Sequence, residues 1–403
     1  MRSIVLRIFR LIGLLFAGVV SVVILLVAFM YVEHFLPTDL PTPIGSYRVG
    51  RTSYFFSDYV GTHASHASRE LVVWIWYPAR SQIDPTPADY FPAPWLDAAN
   101  ESWNWMMTHL ITRDLAKVHV HSVLNAAIAS KKGAYPVVVM RPGGSALTLQ
   151  YTALAEDLAS HGYVVVGFDA PYRTQLVVLP NGEIKHRPLQ NDPEEVPLER
   201  VNRLMMMWTE DVRFVLDRLE ALNEQDDRGL LTRRLDLSRV GIFGHSFGGA
   251  TALQVCHDDS RCKVGIDIDG MPFGSVVADG VKQPFMFLMG DHSHDLGSES
   301  EGQQVARDLH AIYGRLPETK RVALMIEGGD HFSFADGGVV RSHVLLSILR
   351  AVGLVIDGKR QLATTSACVS AFFGKYLNDE VGGLDRCTQL EGVKPAKLVI
   401  EGK

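Results

Sequence analysis

Eight short apolar runs punctuate the chain, alternating with longer stretches in which apolar residues recur every three or four positions. The runs 47–56, 71–76, 137–140, 164–168, 240–243, 264–269, 285–289 and 322–326 predict strands. Several are apolar without interruption, the pattern of strands covered on both faces of a parallel sheet. Residues 151–160 and 204–222 predict helices. In the second, Leu204, Trp208, Val212, Val215 and Leu219 share one face, and Glu210, Arg213, Asp217 and Arg218 fall mostly on another. Strand–helix alternation of this kind predicts an α/β fold with a mostly parallel central sheet of about eight strands flanked by helices.

The N-terminus breaks the pattern. Arg2, Arg7 and Arg10 precede an uncharged apolar run over residues 11–32, closed by Glu33 and His34. As a helix rising about 1.5 Å per residue this run reaches roughly 33 Å, enough to cross the hydrocarbon core of a bilayer. No small-x-small cleavage site follows it: Ala28-Phe29-Met30 does not supply one. An uncleaved transmembrane anchor is therefore expected. The arginines lie on one side of it, which predicts a cytoplasmic N-terminus (1–10) and an exoplasmic domain, periplasmic or extracellular in a bacterium. Residues 33–46, rich in proline, read as a linker that lifts this domain off the membrane. The catalytic domain is expected over 47–360, with insertions at about 84–132 and 175–200 over one edge. A helical tail completes it at 361–403.

Composition is ordinary for a globular protein, at 47% hydrophobic and 21% charged, and the net charge of −6 leaves no basic footprint for nucleic acid. The four cysteines allow three pairings. In an oxidising compartment the local pairs, Cys256 with Cys262 and Cys368 with Cys387, are the simplest expectation.

The chemistry centres on "RVGIFGHSFGGA", residues 239–250. Gly244-x-Ser246-x-Gly248 between a predicted strand and a predicted helix reads as a nucleophile elbow, whose glycines permit a tight turn that lifts the serine Oγ above the sheet. Serine needs a base, and the base needs a carboxylate to orient it. His331, in "EGGDHFSF", follows the last predicted strand, where the chain order Ser, acid, His calls for the base. His292 and His294 come one strand too early, and His245 packs beneath the turn. Two acids end strands in the right interval, Asp269 in "GIDIDGMPFG" and Asp291 in "FLMGDHSHD", and geometry alone leaves both open. The oxyanion requires two backbone donors: Phe247 N–H and, from the glycine loop of "VVVMRPGGSAL", Gly144 N–H. Glycines serving only a tight turn are the competing reading of that loop. "DHSHD" reads as a solvated loop, so neither a metal nor a cofactor is expected.

Several motifs in order give the chain a resemblance to the plasma-type platelet-activating-factor acetylhydrolases and their bacterial relatives, α/β-hydrolases. "PVVVMRPGG" resembles that family's strand and oxyanion loop, "LASHGYVVVGFD" the helix and strand after it, "GHSFGGAT" its elbow, "DIDGMPFG" its acid loop and "QPFMFLMGD" its next strand. The resemblance covers roughly residues 71–336 and implies Asp269 as the acid. The chain departs from the family pattern at Pro142-Gly143, where the family has His-Gly, and at Gly144, where it has a bulky residue. What the resemblance implies is a serine ester hydrolase acting on lipid or other apolar esters, without metal or cofactor. A general carboxylesterase or polyester hydrolase is the alternative. An acyltransferase and a non-catalytic binding module are the readings from other classes.

Overall fold

The computed structural model describes residues 2–58, 69–81, 84–130, 133–144, 146–191, 193, 197–291, 299–396 and 398, with only the backbone at 2–5, 189 and 299–302. His292, His294 and most of the "DHSHD" loop lie outside the described residues. Among the described residues the strands are β1 (Thr38–Asp39), β2 (Arg48–Ser57), β3 (Glu70–Ala79), β4 (Pro87–Asp89), β5 (Val118–Leu124), β6 (Tyr135–Arg141), β7 (Val164–Asp169), β8 (Leu176–Val178), β9 (Ile184–His186), β10 (Leu235–His245), β11 (Cys262–Ile268), β12 (Phe285–Gly290), β13 (Arg321–Ile326) and β14 (Val393–Pro395). The first five helices are α1 (Arg2–His34), α2 (Ala93–Ser102), α3 (Thr152–Ser160), α4 (Leu198–Glu224) and α5 (Phe247–Asp258).

One large sheet runs in the order β1-β5-β2-β3-β7-β6-β10-β11-β12-β13-β14, with β4 attached to β5. Its centre, from β7 through β13, is parallel, and β3 and β14 are antiparallel to their neighbours. The alternation of a strand explains why the central runs are apolar throughout. Val138 and Met140 of β6 face one core with α3 and the helix Gly358–Leu377, whereas Val137 and Val139 face the other with α4 and α5. The α4 face read from the sequence is the buried one, with Leu204, Trp208, Val212, Val215 and Leu219 all in the core. The structure joins Cys256 to Cys262 and Cys368 to Cys387.

Three segments differ from expectation. Residues 37–45 are no free spacer: β1 pairs with β5, Leu40 N–H donates to His119 O and its side chain is buried, and Gly45 N–H donates to Ser160 Oγ. An extended proline-rich chain suits a sheet edge as well as a tether. Part of the 84–132 insertion enters the sheet as β5, whose alternation "VHVHSV" is that of a half-buried strand. The C-terminal segment carries the helices Gly358–Leu377 and Gly383–Thr388 but ends on β14, which closes the sheet edge against β13.

The helix α1 is long and apolar enough between Leu6 and His34 to cross a membrane, and its apolar body is not buried in the protein. Its last turn is a different matter: Glu33 and His34 are buried against the domain.

Candidate active site

β10 ends at His245, Ser246 has φ 56° and ψ −126°, and α5 begins at Phe247. A serine at positive φ is a strained conformation of about 1–3 kcal/mol, held because its surroundings fix it. Ser246 N–H donates to Ile268 O on the neighbouring strand at 2.8 Å. The two motif glycines are required by contact rather than by dihedral. A Cβ on Gly244 would stand 2.1 Å from Gly248 O, and one on Gly248 would stand 2.4 Å from Arg141 O. The turn therefore closes only with hydrogen at both positions. As the first residue of α5, Phe247 has no carbonyl of its own helix to bond, and its N–H belongs to the free donors of a helix N-terminus.

Asp269 lies just past β11, the strand next to β10, with φ 55°. Its N–H donates to Leu288 O, and its Oδ1 accepts from Gly290 N–H at 2.9 Å. Its Oδ2 is 2.6 Å from His331 Nδ1. The Asp269 side chain is fully buried while that of His331 is 21% exposed, so the pair has a dry end and an open end. His331 opens the short 3-10 helix His331–Phe334, capped by Asp330, which accepts from Phe332 N–H at 3.0 Å. Asp291 Oδ1 instead accepts from Gly328 N–H at 2.7 Å. Of the two candidate acids, the structure brings Asp269 to the imidazole.

The glycine loop lies across the elbow: a Cβ on Gly143 would stand 3.4 Å from Ser246 Cβ. Gly143 N–H is used by Tyr151 Oη at 3.1 Å, and Tyr151 Oη is 2.8 Å from His245 Nδ1. Burial, with the charge of His331 second, lowers the His245 pKa to about 3, so its ring is neutral. Tyr151 thus accepts from the loop and donates to His245 Nδ1, tying the loop to the base of the elbow. Gly144 O accepts from Arg187 Nη1, and Pro193 packs over its Cα, so the 175–200 insertion rests on this loop. The sequence offered no signal for Tyr151, since its partners lie up to 94 positions away.

A second residue absent from the sequence reading is Asp267. Its Oδ1 accepts from Gly270 N–H at 2.9 Å, directly beneath Gly249 of the elbow. Burial, then the neighbouring Asp269 carboxylate, raises its pKa to about 8, which keeps it neutral and leaves the site's negative charge on Asp269. The native state then holds a proton that the unfolded chain releases near pH 4, so this group's contribution to stability falls as pH rises from about 4 to 8, by up to about 1.4 kcal/mol per unit. Asp267→Asn is expected to flatten that fall; melting temperatures of both proteins across pH 5–8 check it, and parallel slopes would refute the assignment.

His245, Asp269 and His331 are the one group among the described residues whose ligand atoms come close enough, within 4.8 Å, to hold an ion. Of their ring nitrogens, His331 Nδ1 contacts Asp269 and His245 Nδ1 contacts Tyr151. Phe247, the residue after the serine, stacks edge-on against Trp208 at 5.0 Å and lies 5.9 Å from Phe273 in a small apolar cluster.

The model of the family described as platelet-activating factor acetylhydrolase, isoform II, matches residues 34–175 and 206–391. The chain belongs to this family. It is an ester hydrolase of the α/β-hydrolase type, and the unmatched gap falls on the 175–200 insertion and the start of α4. The platelet-activating factor acetylhydrolase of Bos taurus is 23% identical over 87% of this chain and 80% of its own length. A probable 1-alkyl-2-acetylglycerophosphocholine esterase of Arthroderma benhamiae is 28% identical over 50% of this chain, and the chain spans about half, 48%, of that relative. Among solved structures, the ferulic acid esterase from Streptomyces cinnamoneus superposes with a TM-score of 0.68 at 27% identity, covering 90% of this chain and all of that one.

Proposed function

We propose that this family member hydrolyses lipid or other apolar esters through a Ser246 acyl-enzyme. Ser246 Oγ attacks the ester carbonyl, His331 takes its proton and returns it to the leaving alcohol, and Asp269 holds the imidazole in the tautomer that can do so. The N–H groups of Phe247 and Gly144 stabilise the oxyanion, and water resolves the acyl-enzyme through the same base. The observation that carries the reading is the 2.6 Å contact of a fully buried Asp269 with a partly exposed His331, whose ring lies 4.4 Å from that of His245, the residue before the strained serine of the elbow.

Residues 11–32 are proposed to anchor the chain in the membrane, N-terminus cytoplasmic and domain exoplasmic, which places the site beside lipid. Exposed Met271 and Phe332, each one or two positions after the acid and the base, fit an apolar substrate. A second reading, a carboxylesterase of soluble esters, is supported by the likeness to the ferulic acid esterase. The deciding assay offers the full-length protein vesicles of a phospholipid with a short sn-2 acyl chain beside a soluble aryl ester and a ferulate ester. Release of the sn-2 chain at a rate matching the best soluble ester is expected; activity confined to soluble esters would establish the second reading.

A further inference from the structure

The last turn of α1 enters a buried polar cluster that neither an anchor nor a linker requires. Glu33 Oε1 accepts from Arg113 Nη1 at 3.0 Å and from His343 N–H at 2.8 Å. Its Oε2 accepts from Ser342 Oγ at 2.6 Å and from Val344 N–H at 3.2 Å. The Glu33 and Arg113 side chains are only 10% and 5% exposed. Arg113 spends its other terminal nitrogen, Nη2, on Leu36 O and Pro37 O, fixing the chain as it leaves the helix. Around this cluster the backbone is bonded in both directions: Asp114 N–H donates to His34 O, Ser342 N–H to Ile111 O and Arg113 N–H to Val340 O.

The segment that Glu33 grips is the one that holds the loop of His331. Arg341, beside Ser342, donates from Nη2 to Asp330 Oδ1 at 2.9 Å and to Ser333 Oγ, and from Nε to Gly337 O at 2.8 Å. Asp330 in turn caps the short helix that His331 opens. Five side chains therefore link the end of an apolar helix to the imidazole: Glu33, Ser342, Arg341, Asp330 and His331. Two of the links are peptide bonds and the others are hydrogen bonds.

We propose that Glu33 is a positioning residue for the hydrolytic reaction: the last turn of α1 fixes residues 341–344 and through Arg341 sets the loop that aims His331 at Ser246. The inference rests on the assignment of His331 as the base. It makes the end of the apolar helix a mechanical part of the active site as well as an anchor, because a base displaced by a fraction of an ångström loses rate without losing binding. A mobile tether would have no use for a carboxylate with four donors, whose burial is costly unless every lone pair is satisfied.

The test uses the full-length protein in detergent micelles with a soluble short-acyl ester, so that membrane access plays no part. Competent sites are counted by titrating Ser246 with a fluorophosphonate, and kcat is expressed per titrated site. Glu33→Ala is expected to lower that kcat about ten- to a hundredfold, with KM changed less than about twofold. Glu33→Gln, which keeps one acceptor oxygen, is expected to recover a large part of the loss. Should Glu33→Ala not accumulate as folded protein, the paired variant Glu33→Leu with Arg113→Met, which buries no unpaired charge and offers residues 342–344 no acceptor, replaces it and is expected to show the same fall. A variant that loses titratable sites but keeps kcat per site would show a purely structural role and overturn the proposal. So would full retention of kcat. A wild type that hydrolyses ester without labelling at Ser246 would instead remove the catalytic assignment, and this proposal with it.

Discussion

Ser246→Ala is expected to lower kcat by about five to six orders of magnitude and to abolish covalent labelling by a fluorophosphonate, with the fold intact. The size follows from how the site divides its work. Without the hydroxyl no acyl-enzyme forms, and the elbow puts the residue at the end of β10 beside the glycine loop, where no other side chain among the described residues takes the place of Oγ. What remains is the oxyanion donors and substrate binding, worth about three to four orders of magnitude over water in hydrolases of this design. Removing Oγ relieves no contact that the fold depends on: Ser246 holds its place through its main chain, N–H to Ile268 O and O to Gly249 and Ala250 N–H. The melting temperature should therefore stay close to that of the wild type. Mass spectrometry of the labelled peptide checks the prediction, and label carried by any residue other than Ser246 would refute it.

The elbow was readable because its constraint is local. Gly244 and Gly248 must lack a Cβ within a five-residue turn, and that requirement is written in five consecutive letters. Chain order pointed to His331 as the proposed base, and the structure sets its Nδ1 2.6 Å from Asp269 Oδ2. The two acids were not separable by pattern, since β11 and β12 are each followed at once by an aspartate and the choice depends on where the His331 loop returns in space. Longer links left no trace at all. Tyr151 reaches His245 across 94 positions, and Glu33 reaches Ser342 across 309. Each partner taken alone is an ordinary polar residue near the end of a helix. The spacer reading failed for a related reason. Proline content reports that residues 37–45 are extended, but not whether an extended segment finds a strand to pair with, and β5 itself was hidden inside what read as an insertion. The elbow is placed by short-range geometry; the side chains that hold it and the His331 loop come from pairs that only the folded chain brings together.

The choice of acid carries the second large effect. Asp269→Asn is expected to lower kcat about ten-thousandfold, whereas Asp291→Asn leaves it within about threefold. Asp269 Oδ2 lies 2.6 Å from His331 Nδ1, and in the proposed reaction it accepts from that nitrogen so that Nε2 is the one that takes the serine proton. An asparagine turned with its NH2 toward Nδ1 favours the opposite tautomer, with the proton on the nitrogen that must act as base. Turned the other way, it offers a neutral oxygen and gives the imidazolium of the transition state no counter-charge. Both outcomes are severe because the carboxylate is fully buried and water cannot take its place. Asp291 holds Gly328 N–H, so its loss is felt in the β13 turn that precedes the base, as a change in stability rather than in chemistry. Measuring kcat per fluorophosphonate-titrated site for the two variants separates them. Equal losses would mean that both carboxylates serve the imidazole during turnover, and a larger loss at Asp291 would transfer the role of acid to it.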